Sequence, residues 1–111
     1  MKHEMHLHDE PFKLIKNGTK TIELRLYDEK RRLLNIGDII EIENRATGEL
    51  MQVEIKNLYL YPNFEELYKH FDKVALGYKE DEIASPSDMN IYYPEEEQAQ
   101  YGVVAIEVRK I

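Results

Sequence analysis

Alternation of apolar and polar residues predicts that much of the chain forms strands. The clearest run is the segment 20–27, where Ile22, Leu24 and Leu26 would form a buried row on one face. Glu23 and Arg25 lie on the opposite face of the same strand. Further predicted strands, in chain order, are 3–8, 39–43, 50–60 and 103–108.

Capping residues, glycines and prolines predict short helices between these strands. Asp9 and Pro11 are typical of a helix start, with Asp9 as the cap, and Gly18 would end that helix. Asn63 and Glu66 have the spacing of a capping box, which predicts a second helix. The remaining predicted elements are a short helix within 75–83, a loop at 85–88 and a helical turn at 94–100.

The order of these elements predicts an α+β fold. One helix follows the first strand, three strands then follow in series, and a helical region precedes the last strand. This pattern favours a small, mixed, partly closed β-barrel with helices at its ends over a doubly wound parallel sheet. The 111 residues show no repeat and no linker, so we expect one domain over residues 1–111.

Composition excludes several classes of protein. The chain has no cysteine, which excludes disulfides, cysteine-bound metals and thiol catalysis. Apolar residues make up 42% and charged residues 33%, as expected for a folded globular domain. The longest uninterrupted apolar runs are only a few residues, and no apolar segment of the kind found in signal peptides follows residues 1–4. We therefore expect no membrane span, no secretory signal and a cytoplasmic location.

Charge is distributed unevenly along the chain. The net charge of −7 argues against a strongly basic nucleic-acid binder. Residues 1–32, however, carry eight Lys or Arg against six Asp or Glu, a local charge of +2, and the other 79 residues carry −9. Charge counting alone leaves open whether this bias marks a binding surface or arises by chance.

Lys20, Glu23 and Arg25 are the leading candidates for chemistry. Glu23 and Arg25 lie two residues apart on one strand face, about 7 Å along the strand, with Lys20 close by. An acid and a guanidinium so placed can hold an anionic or amide-bearing ligand through charge-assisted hydrogen bonds. The alternative is a solvated strand face whose charges have no function.

A second basic group follows in the segment 28–32. Lys30, Arg31 and Arg32 are candidates for phosphate contacts, since arginine offers two parallel donors. A charged run between strands is also typical of a solvated loop.

Histidines and tyrosines provide the remaining candidates. His3, His6 and His8 are more typical of a polar edge strand than of a metal site, and we expect neither metal nor cofactor. Tyr92 and Tyr93 precede an acidic helix start and would border a cleft, where tyrosines can stack on bases. The remaining tyrosines beside predicted strand ends are expected to be partly buried; they are Tyr59, Tyr61 and Tyr101.

An ordered set of short motifs resembles the ASCH domain of the PUA-like superfamily. The set comprises Gly18-x-Lys20-x-x-Glu23-x-Arg25, the charged segment 28–32, Ile36-Gly37-Asp38-x-Ile40, Tyr61-x-x-Phe64-x-x-Leu67, Tyr92-x-x-Glu95 and the segment 101–106. The resemblance implies a β-barrel with a cleft lined by the first motif. It also implies binding of RNA or a modified nucleoside, with Lys20, Glu23, Arg25, Lys30, Arg31, Arg32 and Tyr92 as ligand-binding residues.

The resemblance also implies an alternative, a small amidohydrolase acting on an acylated nucleoside such as N4-acetylcytidine. In such family members a motif lysine supports a threonine nucleophile three residues later, with a distal glutamate as acid and base. Lys20 matches the lysine, but Glu23 stands at the nucleophile position, where a carboxylate does not replace a hydroxyl. A third alternative is a protein–protein adaptor that uses the acidic segment Glu95–Glu97.

Overall fold

Five strands form a single mixed sheet in the computed structural model, which describes all residues 1–111. The order across the sheet is β1-β3-β4-β5-β2, with β1 and β3 parallel and all other neighbours antiparallel. The strands are β1 Lys2–Leu7, β2 Ile22–Leu26, β3 Ile39–Asn44, β4 Leu50–Tyr61 and β5 Val103–Lys110.

Short helices connect these strands, and none has the length and apolar character needed to cross a bilayer. The α-helices are α1 Asp9–Lys16, α2 Phe64–Tyr68, α3 Lys73–Leu76 and α4 Glu95–Tyr101. Two 3₁₀ helices lie at Arg31–Leu33 and Pro86–Ile91. The predicted α+β class with a partly closed barrel is confirmed, because the sheet curves into a half-barrel.

One contact joins the two edges of the curved sheet. Nη2 of Arg25, on edge strand β2, donates a hydrogen bond of 3.1 Å to the backbone oxygen of His6 on edge strand β1. The two edge strands are therefore close enough at this end for one side chain to connect them. The sheet is closed here by a charged side chain, where a complete barrel would continue its ladder of backbone hydrogen bonds.

The core lies on both faces of β5. Val104 and Ile106 pack with Phe12 and Ile15 of α1 inside the half-barrel. On the other face, Val103 and Ala105 pack in a second cluster with α2. Because the first half of β5 is covered on both faces, its residues Val103–Ile106 are all apolar and buried, as expected for an interior strand.

Helix boundaries confirm some local predictions and correct others. Asn63 caps α2, since its Oδ1 accepts a hydrogen bond of 2.9 Å from the Glu66 amide. Asp9 does not cap α1: it is already the first helical residue, and its carboxylate accepts a hydrogen bond from Asn44 of β3 and pairs with Lys13. The hydrogen bond between Asn44 and Asp9 therefore connects α1 to β3.

The region between α2 and α4 also differs from the sequence prediction. The third helix lies earlier than predicted, at Lys73–Leu76, because Gly77 ends it with φ of +109°. The segment predicted as a loop at 85–88 instead begins a 3₁₀ helix, with Pro86 at its start. Helix α3 packs near β2, the 3₁₀ helix packs against α2, and residues of both line the cavity described below.

Candidate functional site

A cavity of about 640 Å³ lies between the ends of β1 and β2, helix α1 and the segment from α3 to Tyr93. Its volume is within the range of small-molecule sites. Lys20, Glu23 and Arg25 form its charged floor, and we call these three residues the charged triad. Elements distant in sequence therefore meet around the segment that carries the sharpest sequence motif.

Lys20 is almost completely buried beneath α3. Its Nζ donates hydrogen bonds to the backbone oxygens of Ile22 at 2.6 Å and Leu76 at 2.7 Å, and lies 3.5 Å from Oε1 of Glu23. Gly77 makes room for this side chain, since a Cβ at position 77 would lie 3.1 Å from Cδ of Lys20. Burial lowers the pKa of Lys20, although Glu23 acts in the opposite direction.

Glu23 connects the two cations of the triad. Its Oε2 accepts hydrogen bonds from Nε of Arg25 at 3.1 Å and from Nη2 at 2.8 Å. Burial alone would raise the pKa of Glu23, but Lys20 and Arg25 outweigh burial and hold that pKa below its ordinary value. Its Oε1 has fewer close partners, with Nζ of Lys20 at 3.5 Å, so the carboxylate can still accept a hydrogen bond from a ligand.

The solvated-strand alternative for Glu23 and Arg25 does not hold. The side chains of Glu23 and Arg25 are 9% and 14% exposed. In the pairing of β2 with β5, Glu23 lies opposite Ile106 and Arg25 lies opposite Val104. Because Ile106 and Val104 face the inside of the half-barrel, Glu23 and Arg25 face it too. The inner face is covered because α1 and β1 close over it.

Tyrosines and the carboxylates of Glu82 and Asp88 form the wall near α3. The Tyr78 hydroxyl donates a hydrogen bond of 2.7 Å to Oδ2 of Asp88 and lies 2.9 Å from the Tyr68 hydroxyl. Burial, with Tyr68 and Asp88, raises the pKa of Tyr78 above its ordinary value, so the phenol remains protonated. Tyr92 also lines the cavity and is 60% exposed, which leaves its ring available at the mouth.

The opposite wall comes from β1 and the turn after β3. His6, His8 and Arg45 line the cavity there. Sequence reasoning missed Arg45, Gly77 and Tyr78 as site residues. No local signal identifies them, because each reaches the cavity only through tertiary packing of segments far from the motif.

The other predicted ligand-binding residues lie outside this cavity. Arg31 pairs with Asp28 at 3.3 Å, within its own turn. The Arg32 guanidinium lies 4.5 Å from the ring centre of Tyr27. Lys30 is likewise not among the lining residues. A role for these three side chains in ligand binding stays a prediction, separate from the cavity.

The histidines do not gather at one site. Nε2 of His3 lies 2.8 Å from the Asp38 carboxylate, while His6 and His8 are on the cavity side. No group of three or more His, Asp or Glu side chains is arranged to hold a metal ion. Of the other tyrosines considered from sequence, Tyr59, Tyr61 and Tyr101 pack against the second core cluster. Tyr93 also packs against that cluster, and it lines the cavity beside Tyr92.

Comparison with known proteins gives one family and several structures. The model of the ASCH domain matches residues 5–111. The crystal structure of hypothetical protein PH0355 is 38% identical with a TM-score of 0.85, covering 100% of both chains. The NMR structure of protein PF0455 from Pyrococcus furiosus is 36% identical with a TM-score of 0.73, covering 100% of this chain and 98% of that one.

A more distant structure shares the fold. The crystal structure of ASCH from Zymomonas mobilis is 17% identical with a TM-score of 0.69, covering 97% of this chain and 66% of that one. No curated protein matches the chain.

Proposed function

The chain belongs to the ASCH domain family, and we propose from this premise that its cavity binds a nucleobase, either in RNA or as a modified nucleoside. The observation that supports the proposal most is the position of the charged triad on the floor of a ligand-sized cavity. A concave site with a few convergent polar groups is the usual form of a small-molecule site.

The triad suits the edge of a base. Glu23 would accept a hydrogen bond from an exocyclic amine or ring N–H, and Arg25 fixes the orientation of that carboxylate through two hydrogen bonds. The hydrogens of Nζ that bond the backbone oxygens of Ile22 and Leu76 leave one over, which Lys20 would share between Oε1 of Glu23, 3.5 Å away, and a carbonyl of the ligand. Buried, prealigned donors and acceptors discriminate strongly against ligands that cannot pair with them.

The mouth of the cavity suits the face of a base. The ring of Tyr92 is exposed there and is not part of the core. Stacking of a base on an aromatic ring contributes about 1–3 kcal/mol and tolerates different bases. Tyr92 would therefore supply affinity, while the triad supplies selectivity.

The amidohydrolase alternative has less support. A lysine acts as a general base only when it is deprotonated. Burial lowers the pKa of Lys20, but the Glu23 carboxylate and the two backbone oxygens that accept hydrogen bonds from Nζ favour the ammonium. No serine or threonine is among the residues that line the cavity. Acyl transfer through a hydroxyl nucleophile therefore lacks its nucleophile at this site.

Titration with nucleosides and RNA tests the proposal. The four common nucleosides, N4-acetylcytidine and a short single-stranded RNA are added to the ¹⁵N-labelled protein, and amide shifts report both binding and folding. We expect saturable binding at the cavity, weakened about 5- to 100-fold in Tyr92→Ala and retained in Tyr92→Phe, which keeps the stacking face.

Arg25→Ala should weaken binding because Glu23 loses its orientation. The matched control is Arg109→Ala, which removes the same charge from an exposed site paired with Glu54 and should leave binding unchanged. Absence of saturable binding by every compound, or equal affinity in wild type, Tyr92→Ala and Arg25→Ala, would rule out this function for the cavity.

A further inference from the structure

Arg45 differs from every other arginine of the chain. Of the five arginines, four have partners for their guanidinium groups: Arg25 with Glu23, Arg31 with Asp28, Arg32 with the Tyr27 ring and the Tyr101 oxygen, and Arg109 with Glu54. The Arg45 guanidinium makes no hydrogen bond, ion pair or aromatic contact, although the net charge is −7. Arg45 also lines the cavity.

The backbone holds Arg45 beside the end of β1. Its amide donates a hydrogen bond of 2.9 Å to the Leu7 oxygen, one step beyond the last paired residues of β1 and β3. This contact places position 45 next to His8, which lines the same wall. Two groups with N–H donors therefore adjoin each other at this end, with Glu10 as the nearby carboxylate that lines the cavity.

This wall leads from the floor of the cavity to its mouth. Arg25 of the triad contacts the His6 oxygen, and His8, beside Arg45, lies two residues further along the chain, in extended backbone just past the end of β1. Two residues of strand correspond to about 7 Å, which leaves room for a ribose between the triad and Arg45. The carboxylates of Glu82 and Asp88 lie on the other side of the cavity, near α3.

We propose that the ligand carries a phosphate, which lies against Arg45 and His8 while its base lies on the charged triad. This inference rests on the proposed function and names its substrate class: a nucleotide unit, in place of an unphosphorylated nucleoside. A guanidinium without a protein partner offers both of its parallel donors to phosphate oxygens. The unit belongs either to a free nucleotide or to an RNA strand, and the chemistry at Arg45 is the same for both.

The test compares each common nucleoside with its 5′- and 3′-monophosphates by calorimetry at constant ionic strength. We expect a monophosphate to bind about 10- to 100-fold more tightly than its nucleoside, as expected for hydrogen bonds to a charged group. Arg45→Ala should remove most of that difference and leave nucleoside affinity within about twofold. Arg45→Lys should restore part of it, and Arg109→Ala should change neither affinity.

The source of the phosphate is decided by adding a short single-stranded RNA. If RNA is the ligand, it binds more tightly than any monophosphate, and Arg45→Ala lowers the dependence of log affinity on log salt by about 0.7. If a free nucleotide is the ligand, RNA binds no better than the best monophosphate.

Two results separate failure of this inference from failure of the proposed function. Equal binding of nucleosides and monophosphates, or an equal loss of both in Arg45→Ala, overturns the phosphate site and leaves the nucleobase cavity standing. No binding of any nucleoside, monophosphate or RNA overturns the proposed function and the phosphate site together.

Discussion

Two charged segments, 20–25 and 28–32, lie close together in the sequence and occupy very different environments. The first contributes the charged triad, which is buried and contacts distant parts of the chain, through the oxygens of Leu76 and His6. The second forms a surface turn whose Arg31 pairs with Asp28, three residues away. Similar charge composition thus produces a buried site in one segment and mainly local contacts in the other.

The two segments differ in how much the free energy of unfolding falls when one charged partner is removed. In the triad, two cations share one buried carboxylate, so removal of Glu23 leaves charge without compensation in a region of low dielectric. Around Arg31, the partner carboxylate of Asp28 is 31% exposed, against 9% for Glu23, so solvent partly screens this pair and partly replaces the carboxylate when it is removed. The buried segment has more influence on folding, and it is also the one that faces the cavity.

The largest expected effect is the loss of the carboxylate from the triad. Glu23→Ala should lower the free energy of unfolding by about 3–5 kcal/mol, because Lys20 and Arg25 remain buried without their partner. The matched variant in the surface turn, Asp28→Ala, should cost about 1 kcal/mol, through a partly screened ion pair and a hydrogen bond from the Arg31 amide. Urea denaturation measures both.

Glu23→Gln extends this comparison if Glu23→Ala does not fold. It keeps the shape of the side chain and removes the charge, so its cost should fall between those of the other two variants. Equal losses in Glu23→Ala and Asp28→Ala would contradict the view that the two segments differ in electrostatic environment.

Lowering the pH should remove the stability that the ionised Glu23 carboxylate contributes, without any mutation. The pKa of Glu23 in the folded protein lies below the ordinary value of 4.5, so the unfolded chain binds its proton more tightly. The stability that Glu23 contributes is therefore complete above pH 4.5 and is lost as the pH falls through the folded pKa.

Other carboxylates contribute to the acid response, so a variant is needed to isolate Glu23. The pKa values of Asp9, Asp38 and Glu41 are also lowered, each by its own hydrogen-bond partners. In Glu23→Gln, the free energy of unfolding should depend less steeply on pH below 4.5 than in wild type. Parallel curves for the two proteins would show that Glu23 is not coupled to its cations.

A smaller effect is expected from the glycine that makes room for Lys20. Gly77→Ala should lower the free energy of unfolding by about 1–3 kcal/mol, since it strains a backbone with φ of +109° and crowds the Lys20 side chain. Gly18→Ala is the control: its φ is +86°, but nothing lies within 4 Å of the added Cβ.

Thermal unfolding and ligand titration of both glycine variants separate backbone strain from crowding of the Lys20 side chain. Each should be destabilised by its backbone, but only Gly77→Ala should also weaken binding at the cavity, because it displaces Lys20. Equal stability losses and equal affinities in the two variants would mean that the cavity adapts to the added methyl group without cost.

Local patterns in the sequence predict a large part of the fold. The strands were identified because side chains alternate in direction along any extended chain, as in Ile22, Leu24 and Leu26. The Asn63 cap was identified because it requires only residues within one helical turn. The predicted cap at Asp9 is wrong, because Asp9 is already the first residue of α1 and its carboxylate accepts a hydrogen bond from Asn44 of β3.

Local sequence pattern was sufficient to predict the five strands, the α+β class and the motif that lies at the floor of the cavity. Packing between distant segments makes the polar face of β2 the inside of a half-barrel and brings Arg45, Gly77 and Tyr78 around it. The reason is physical: side-chain direction along a strand is a local property, whereas the curvature and order of the strands depend on packing between residues far apart in the chain.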